Sequence, residues 1–213
     1  MARRRRDARV LGGIAGPAIF TTAWVVCSSR RHEGYTVTRQ HLSGLAAPDA
    51  WRPELMIGGF LGLGTGTVLF GAALEDALGG ARRAGPGPWL VKMAGLATLV
   101  AGALRRDRQL LSPPDGVEGQ SWRNDGHDIA SGVIYACLGA APLLLARRFR
   151  GDPQWTRLQG PAIASAVASA GLMTLFASRV IEPWNGIVQR IAVTVPLAAM
   201  SRMAVELLRR PQD

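Results

Sequence analysis

Lysine is all but missing from this chain: 24 of its 25 basic residues are arginine, and Lys92 stands alone. Such a bias follows from a GC-rich genome and identifies no function. Cysteine is scarce too, with two residues in 213, which excludes a disulfide-stapled scaffold. Charge is thin, at 19% against about 25% in typical soluble chains. Acidic residues are outnumbered 15 to 25, which leaves a net charge of +10. A basic balance of this size raises nucleic acid as a partner. The basic residues here fall between long apolar runs and do not cluster in one patch with aromatics, so nucleic-acid binding is set aside. The apolar fraction of 48% excludes disorder but does not separate a soluble chain from a membrane one.

Charge is absent altogether from four runs, 10–29, 55–74, 129–146 and 160–178. Each has 18 to 20 residues, the length at which a helix crosses roughly 30 Å of hydrocarbon. A helix on a soluble core carries charge on its outer face every turn or so. These carry none, which implies apolar surroundings on every side. A fifth run, 88–104, is interrupted only by Lys92, whose stem can extend toward the headgroups. A sixth, 187–208, is long enough to span and keeps Arg190, Arg202 and Glu206 near its ends. Arginines at positions 3–6 ahead of the first run resemble a signal peptide or a twin-arginine signal. The run is long for either, no small-x-small site follows Cys27, and five more spans follow, so the first run reads as a retained helix.

With the N-terminus inside, segments 1–9, 75–87, 147–160 and 201–213 hold 14 basic residues, and segments 30–54, 105–128 and 178–186 hold 9. The excess predicts both termini in the cytoplasm. The expected architecture is all-α, a polytopic bundle of six transmembrane helices in the plasma membrane. Residues 1–9 form a basic cytoplasmic N-terminus, 10–208 the membrane domain and 209–213 a cytoplasmic tail.

Small residues recur every four positions within the runs: Gly58, Gly62 and Gly66, then Gly132, Ala136 and Ala140, then Ala162, Ala166 and Ala170. That spacing groups each set on one helix side and predicts close helix packing, the main source of association between helices in lipid. The segment from Gly62 to Gly66 also suggests a phosphate loop, but no strand precedes it and no Lys-Ser/Thr follows. Pro17, Pro142 and Pro196 fall inside spans and predict kinks. Cys27 and Cys137 lie at depths too different for a disulfide and read as small apolar core residues.

Under this topology the polar side chains gather on the outer face. The first loop brings His32, Glu33, Tyr35, His41 and Ser43. The second brings Asp107, His127 and Asp128. The third brings Glu182, Trp184 and Asn185, followed by Gln189 and Arg190 as the sixth span begins. Three chemistries fit. His41, Asp107 and His127, with Asp128 nearby, have the ligand types of an open zinc site that could activate water. The same groups could pin the loops, with Asp107 paired to Arg190 or Arg105 and with His127 or Asp128 capping the fourth helix. Or the cluster could take a polar ligand or lipid headgroup, for which Arg190 suits phosphate or carboxylate. Tyr35, Trp51, Trp89, Trp122 and Trp184 lie near span ends, as interfacial anchors do. The inner arginines, Arg147, Arg148, Arg150, Arg209 and Arg210, suit contacts with anionic lipid.

Several runs resemble one family. Gly34-Tyr-Thr-Val-Thr-Arg-Gln-His-Leu-Ser-Gly-Leu45, after a first span with Gly16-Pro17, is similar to the domain-of-unknown-function 998 family of multi-pass membrane proteins. Gly95-Leu-Ala-Thr-Leu-Val-Ala-Gly102 leading to Asp107 resembles its third span and following aspartate. His127 opening the fourth span and Asn185-Gly-Ile-Val-Gln-Arg-Ile191 opening the sixth fit as well. The resemblance implies a six-span bundle and brings no activity with it. The leading expectation is a non-enzymatic scaffold, or a binder of lipid or small ligand, with membrane lipids as partners and other membrane proteins as further ones. The alternative is a metal-dependent membrane hydrolase with His41, Asp107 and His127 as ligands, zinc being one metal that fits. A transporter ranks third, because the five clearest spans have no deep charge where coupling sites lie.

Overall fold

The computed structural model describes residues 2–30, 35–107, 121–178 and 180–210; His32 and Glu33 lie outside them. Helix dominates, and no strand occurs among the described residues. Among the described residues six long helices follow one another: α1 (Ala2–Ser29), α2 (Pro53–Ala77), α3 (Gly87–Ala103), α4 (Trp122–Phe149), α5 (Thr156–Ser178) and α6 (Asn185–Arg209). Short turns of 3₁₀ helix at Leu42–Ala46 and Glu182–Trp184, and one α-helical turn at Ala81–Ala84, lie in the connections. All but α3 are long and apolar enough to cross a membrane. With 17 residues, α3 reaches about 25 Å, a little short of a bilayer's hydrocarbon thickness.

Most of the helices outrun the charge-free stretches that announce them. Backbone hydrogen bonding does not stop where hydrophobicity stops; it stops where a cap ends it. The start of α4 is the clearest case. Ser121 adopts an extended conformation and its hydroxyl accepts from the backbone N–H of Asn124 at 3.3 Å, which satisfies one of the free donors of the first turn. His127 and Asp128, expected as caps, therefore sit in the second turn of α4 instead.

Each helix packs on the next, and α6 returns to α1, which closes a ring with both termini at one end. The outward faces are apolar: Leu11, Ile19, Leu61, Leu96, Ile129 and Val167 are all exposed. At the terminal end Phe149 stacks on buried Trp155 at 4.9 Å, and the Arg210 guanidinium lies 3.6 Å above the same indole. Arg9 bonds Asp76 at 3.1 Å, and Lys92 bonds Glu75 of α2 at 2.7 Å, so the lone lysine finds a carboxylate on a neighbouring helix.

The two halves of the ring pack differently. A Cβ on Gly66 would stand 2.9 Å from the Cα of Gly16, and one on Gly64 would stand 2.8 Å from the carbonyl oxygen of Gly95. Glycine thus lines both sides of α2 and lets α1 and α3 close on it backbone to backbone. Around α4 and α5 the opposite holds: a Cβ on Gly132, Gly139, Gly160 or Gly171 would meet nothing within 4 Å. The four-residue stripes divide accordingly. Gly66, Ala162 and Ala166 are buried and Gly62 is half-buried against Ile19, whereas Gly58, Gly132, Ala136, Ala140 and Ala170 are exposed. Residues four apart advance by about 40° more than a full turn on an α-helix, so a stripe of three swings away from any one neighbour.

Candidate functional site

At the end opposite the termini, α6 begins with two adjacent polar residues that face the first loop. The guanidinium of Arg190 is buried and donates to the carbonyls of Val37 at 3.1 Å, Gln40 at 2.9 Å and Gly186 at 2.8 Å. It also donates to the hydroxyl of Tyr35 and lies 5.7 Å from the ring of Trp24. Gln189 accepts from the N–H of Leu42 at 2.7 Å and donates to the hydroxyl of Tyr135 on α4 at 3.0 Å. Gly186 donates its N–H to Thr38 at 2.7 Å, and a Cβ there would collide with the carbonyls of Val37, Thr38 and Gln40. Asn185-Gly186 and Gln189-Arg190 are therefore one clamp: the glycine lets the loop lie on the helix, and the two long side chains satisfy the loop's carbonyls and an N–H. Tyr35 is part of this clamp and is buried, while Trp51, Trp89, Trp122 and Trp184 are exposed at the helix ends.

A second set of bonds fixes the chain around the start of α4. Asp107 accepts from the Ser121 hydroxyl at 2.7 Å and from its N–H at 2.9 Å. These two bonds hold its carboxyl below the ordinary carboxylate range, and the charges of Arg106 and Arg123 add to them while partial burial opposes them. Asp128 pairs with Arg106 and accepts from the Asn124 amide at 3.3 Å. His127 is buried, with Nδ1 2.8 Å from the carbonyl oxygens of both Ala101 and Leu104. Two acceptors around one ring nitrogen place the proton on Nδ1.

The three residues expected as zinc ligands thus serve three different partners. His127 faces backbone carbonyls, Asp107 faces Ser121, and the His41 ring packs 5.1 Å from Phe176. No group of three His, Cys, Asp or Glu side chains that could hold a metal occurs among the described residues. Asp107 pairs with neither Arg190 nor Arg105. Arg190 reaches the first loop, and the strongest partner of Asp107 is the residue that caps α4.

Between the two bonded sets lies a cleft of about 400 Å³. His41, Ser43, Asp128 and Gln189 line it, together with Arg106 and Tyr135. Asp107, His127 and Arg190 do not; they support its walls. Sequence reasoning missed Arg106, Ser131 and Tyr135. The signal was available, since Asp128, Ser131 or Gly132, and Tyr135 follow helical spacing and share one face of α4. It was hidden because α4 was expected to begin only at residue 129.

The matched family is described as "Protein of unknown function (DUF998)", and its model covers residues 14–206, so the chain belongs to that family. No curated protein and no solved structure matches it.

Proposed function

We propose that this chain is a plasma-membrane protein of six spans with both termini in the cytoplasm, residues 1–9 and 209–213 being its tails. Its outward end binds the polar head of a membrane lipid and catalyses no reaction. The observation that supports this reading is the cleft of about 400 Å³, where a cation, an anion, three hydroxyls and an amide converge. Arg106 and Asp128, paired with each other there, supply charge of both signs, which suits a zwitterionic headgroup. The clamp of Gln189 and Arg190 supplies preorganisation: the loop bearing His41 and Ser43 is held before any ligand arrives, which lowers the ordering cost of binding.

Gly132 provides a clean test, because it lines the cleft and a Cβ on it would meet nothing within 4 Å. Gly132→Trp should fill the cleft without straining the helix. Purified parent protein in detergent should melt at a higher temperature when supplied with the lipid it binds, since a ligand at a hundred times its Kd adds about 2.7 kcal/mol. Gly132→Trp should lose that shift. A parent protein indifferent to phosphatidylethanolamine, phosphatidylglycerol and phosphatidylserine would leave the bonded loops as architecture and favour the scaffold.

A further inference from the structure

Below the cleft a second cavity of about 260 Å³ opens between α4 and α5, and the two share Tyr135 and Met173. Its walls are Ala136, Gly139 and Ala140 on one side and Ser169 and Ala170 on the other. We propose that this slot holds an acyl chain of the lipid whose head occupies the cleft, with the Ser169 hydroxyl donating to the carbonyl that joins chain to head. This inference rests on the head-binding reading and adds the class of ligand: an acyl glycerophospholipid.

Three independent observations carry it. The first is the orphaned hydroxyl. Ser169 is 3% exposed, lines the slot, and its Oγ has no hydrogen-bond partner among the described residues. A buried hydroxyl without a partner is costly, and this one belongs to a residue of the slot's wall. The second is the use of small residues. Between α1, α2 and α3 small residues bring backbones into contact, but between α4 and α5 they leave room, as the open surroundings of Gly139 show. Small side chains that do not close a helix interface leave space for something else. The third is the order of chemistry along α4. Asp128 stands at the top, Tyr135 in the middle, and Ala136, Gly139 and Ala140 below. From Asp128 to Ala140 is about 18 Å at 1.5 Å per residue. An acyl lipid presents the same sequence: a charged head, a carbonyl, then methylenes. Arg106 and Asp128 pair with each other, and a phosphoethanolamine head, with its phosphate for Arg106 and its ammonium for Asp128, would give each a partner of the same sign as the one it exchanges. A second copy of this chain would instead bring apolar side chains to the slot and leave Ser169 unpaired.

The test uses two photoreactive phosphatidylethanolamines in liposomes with the full-length protein, one with the diazirine midway along an acyl chain and one with it on the head. Labelled peptides are mapped by mass spectrometry. The chain probe should label residues 136–140 and 169–173, and the head probe the residues around His41 and Arg106. Gly139→Leu fills the slot without a clash and should cut chain labelling there about tenfold or more while head labelling persists. Ala140→Leu, an independent plug, should act the same way. Ser169→Ala should weaken slot labelling about three- to tenfold, the effect of one hydrogen bond. Chain labels spread evenly over lipid-facing residues such as Leu96, Val100 and Ile163 would overturn the slot, as would slot labelling that survives both plugs. So would a dimer of the parent that Gly139→Leu makes monomeric. Head labelling in the cleft without chain labelling in the slot would leave the head reading standing and remove this one; loss of both would remove both.

Discussion

Gly12 and Gly66 lie so close that a Cβ on Gly66 would stand 2.5 Å from the carbonyl oxygen of Gly12, and a Cβ on Gly12 would stand 2.6 Å from that of Gly66. Neither obstacle is a side chain that can swing aside. Gly66→Ala should therefore push α1 from α2 and cost about 1–3 kcal/mol, as overpacking does. Gly58→Ala, two turns away on the same helix, meets nothing within 4 Å and should cost nothing. Thermal unfolding in detergent compares them. Equal melting of Gly66→Ala and the parent would mean that the contact contributes no stability.

The clamp predicts a graded loss. Arg190→Met leaves the carbonyls of Val37 and Gln40 without their donor, and should cost on the order of 3 kcal/mol or more. Tyr35→Phe removes one partner of the same guanidinium and should cost about 1–3 kcal/mol. Arg190→Lys should not restore the parent, because one ammonium cannot replace a planar fork that serves several oxygens at once. Limited proteolysis reports the local effect: residues 35–47 should be cut faster in Arg190→Met. A loop that resists protease equally well in both proteins would contradict the clamp.

The apolar helices were legible in the sequence because their signal is an absence of charge, and lipid-facing helices tolerate almost none. Their ends were less legible. Ser121 begins α4 through a local cap that lies well outside the apolar run, so His127 and Asp128 looked like loop residues when they are helical. The glycine contacts were half legible. Spacing of four picks out Gly62 and Gly66, but not that Gly64, on the opposite side of the helix, meets α3, nor that Gly58 meets no one. A period names a face and says nothing of which neighbour covers it.

The polar end was legible only in part as a set of residues and illegible as a set of bonds. His41, Ser43, Asp128 and Gln189 do line one cleft. Whether Arg190 meets Asp107 or the backbone of the first loop depends on the rotation of α6, and that rotation is set by Gly186 lying beneath Thr38. No charge pattern encodes this. The isolated glycine ahead of Gln189-Arg190 was the available clue, since a helix tolerates one in its first turn at small cost when a backbone must lie against it.

Topology gives the next prediction. The segments assigned to the cytoplasm carry 14 basic residues and those assigned outside carry 9. The ring brings the start of α1 and the end of α6 to one end, so both termini must share a side if all six helices span. A phosphatase reporter fused after Asp213 should be inactive, and a fluorescent one should be bright. The reverse pair of results would invert the whole arrangement and put the cleft in the cytoplasm.

Acid should loosen the second loop through Asp107. Its folded pKa is lowered, chiefly by the Ser121 hydroxyl and then by the Ser121 N–H. Near the ordinary aspartate value of about 3.9 the unfolded chain then binds more protons than the folded one, so stability rises with pH through that region. The contribution is complete above the ordinary value and is lost as pH falls through the lowered folded one. Asp107→Asn removes the titrating group, so its melting temperature should start below that of the parent at neutral pH and fall less on acidification. Ser121→Ala removes the hydroxyl bond but keeps the backbone one, and should shift the acid limb of the melting curve to higher pH. It also loses the cap of α4, which costs about 1 kcal/mol at every pH, so the position of the limb and not its height is the readout. Melting curves between pH 3 and 7 for the three proteins decide the matter. An acid limb at the same pH in the parent and in Ser121→Ala would show that the Ser121 hydroxyl does not set the protonation of Asp107.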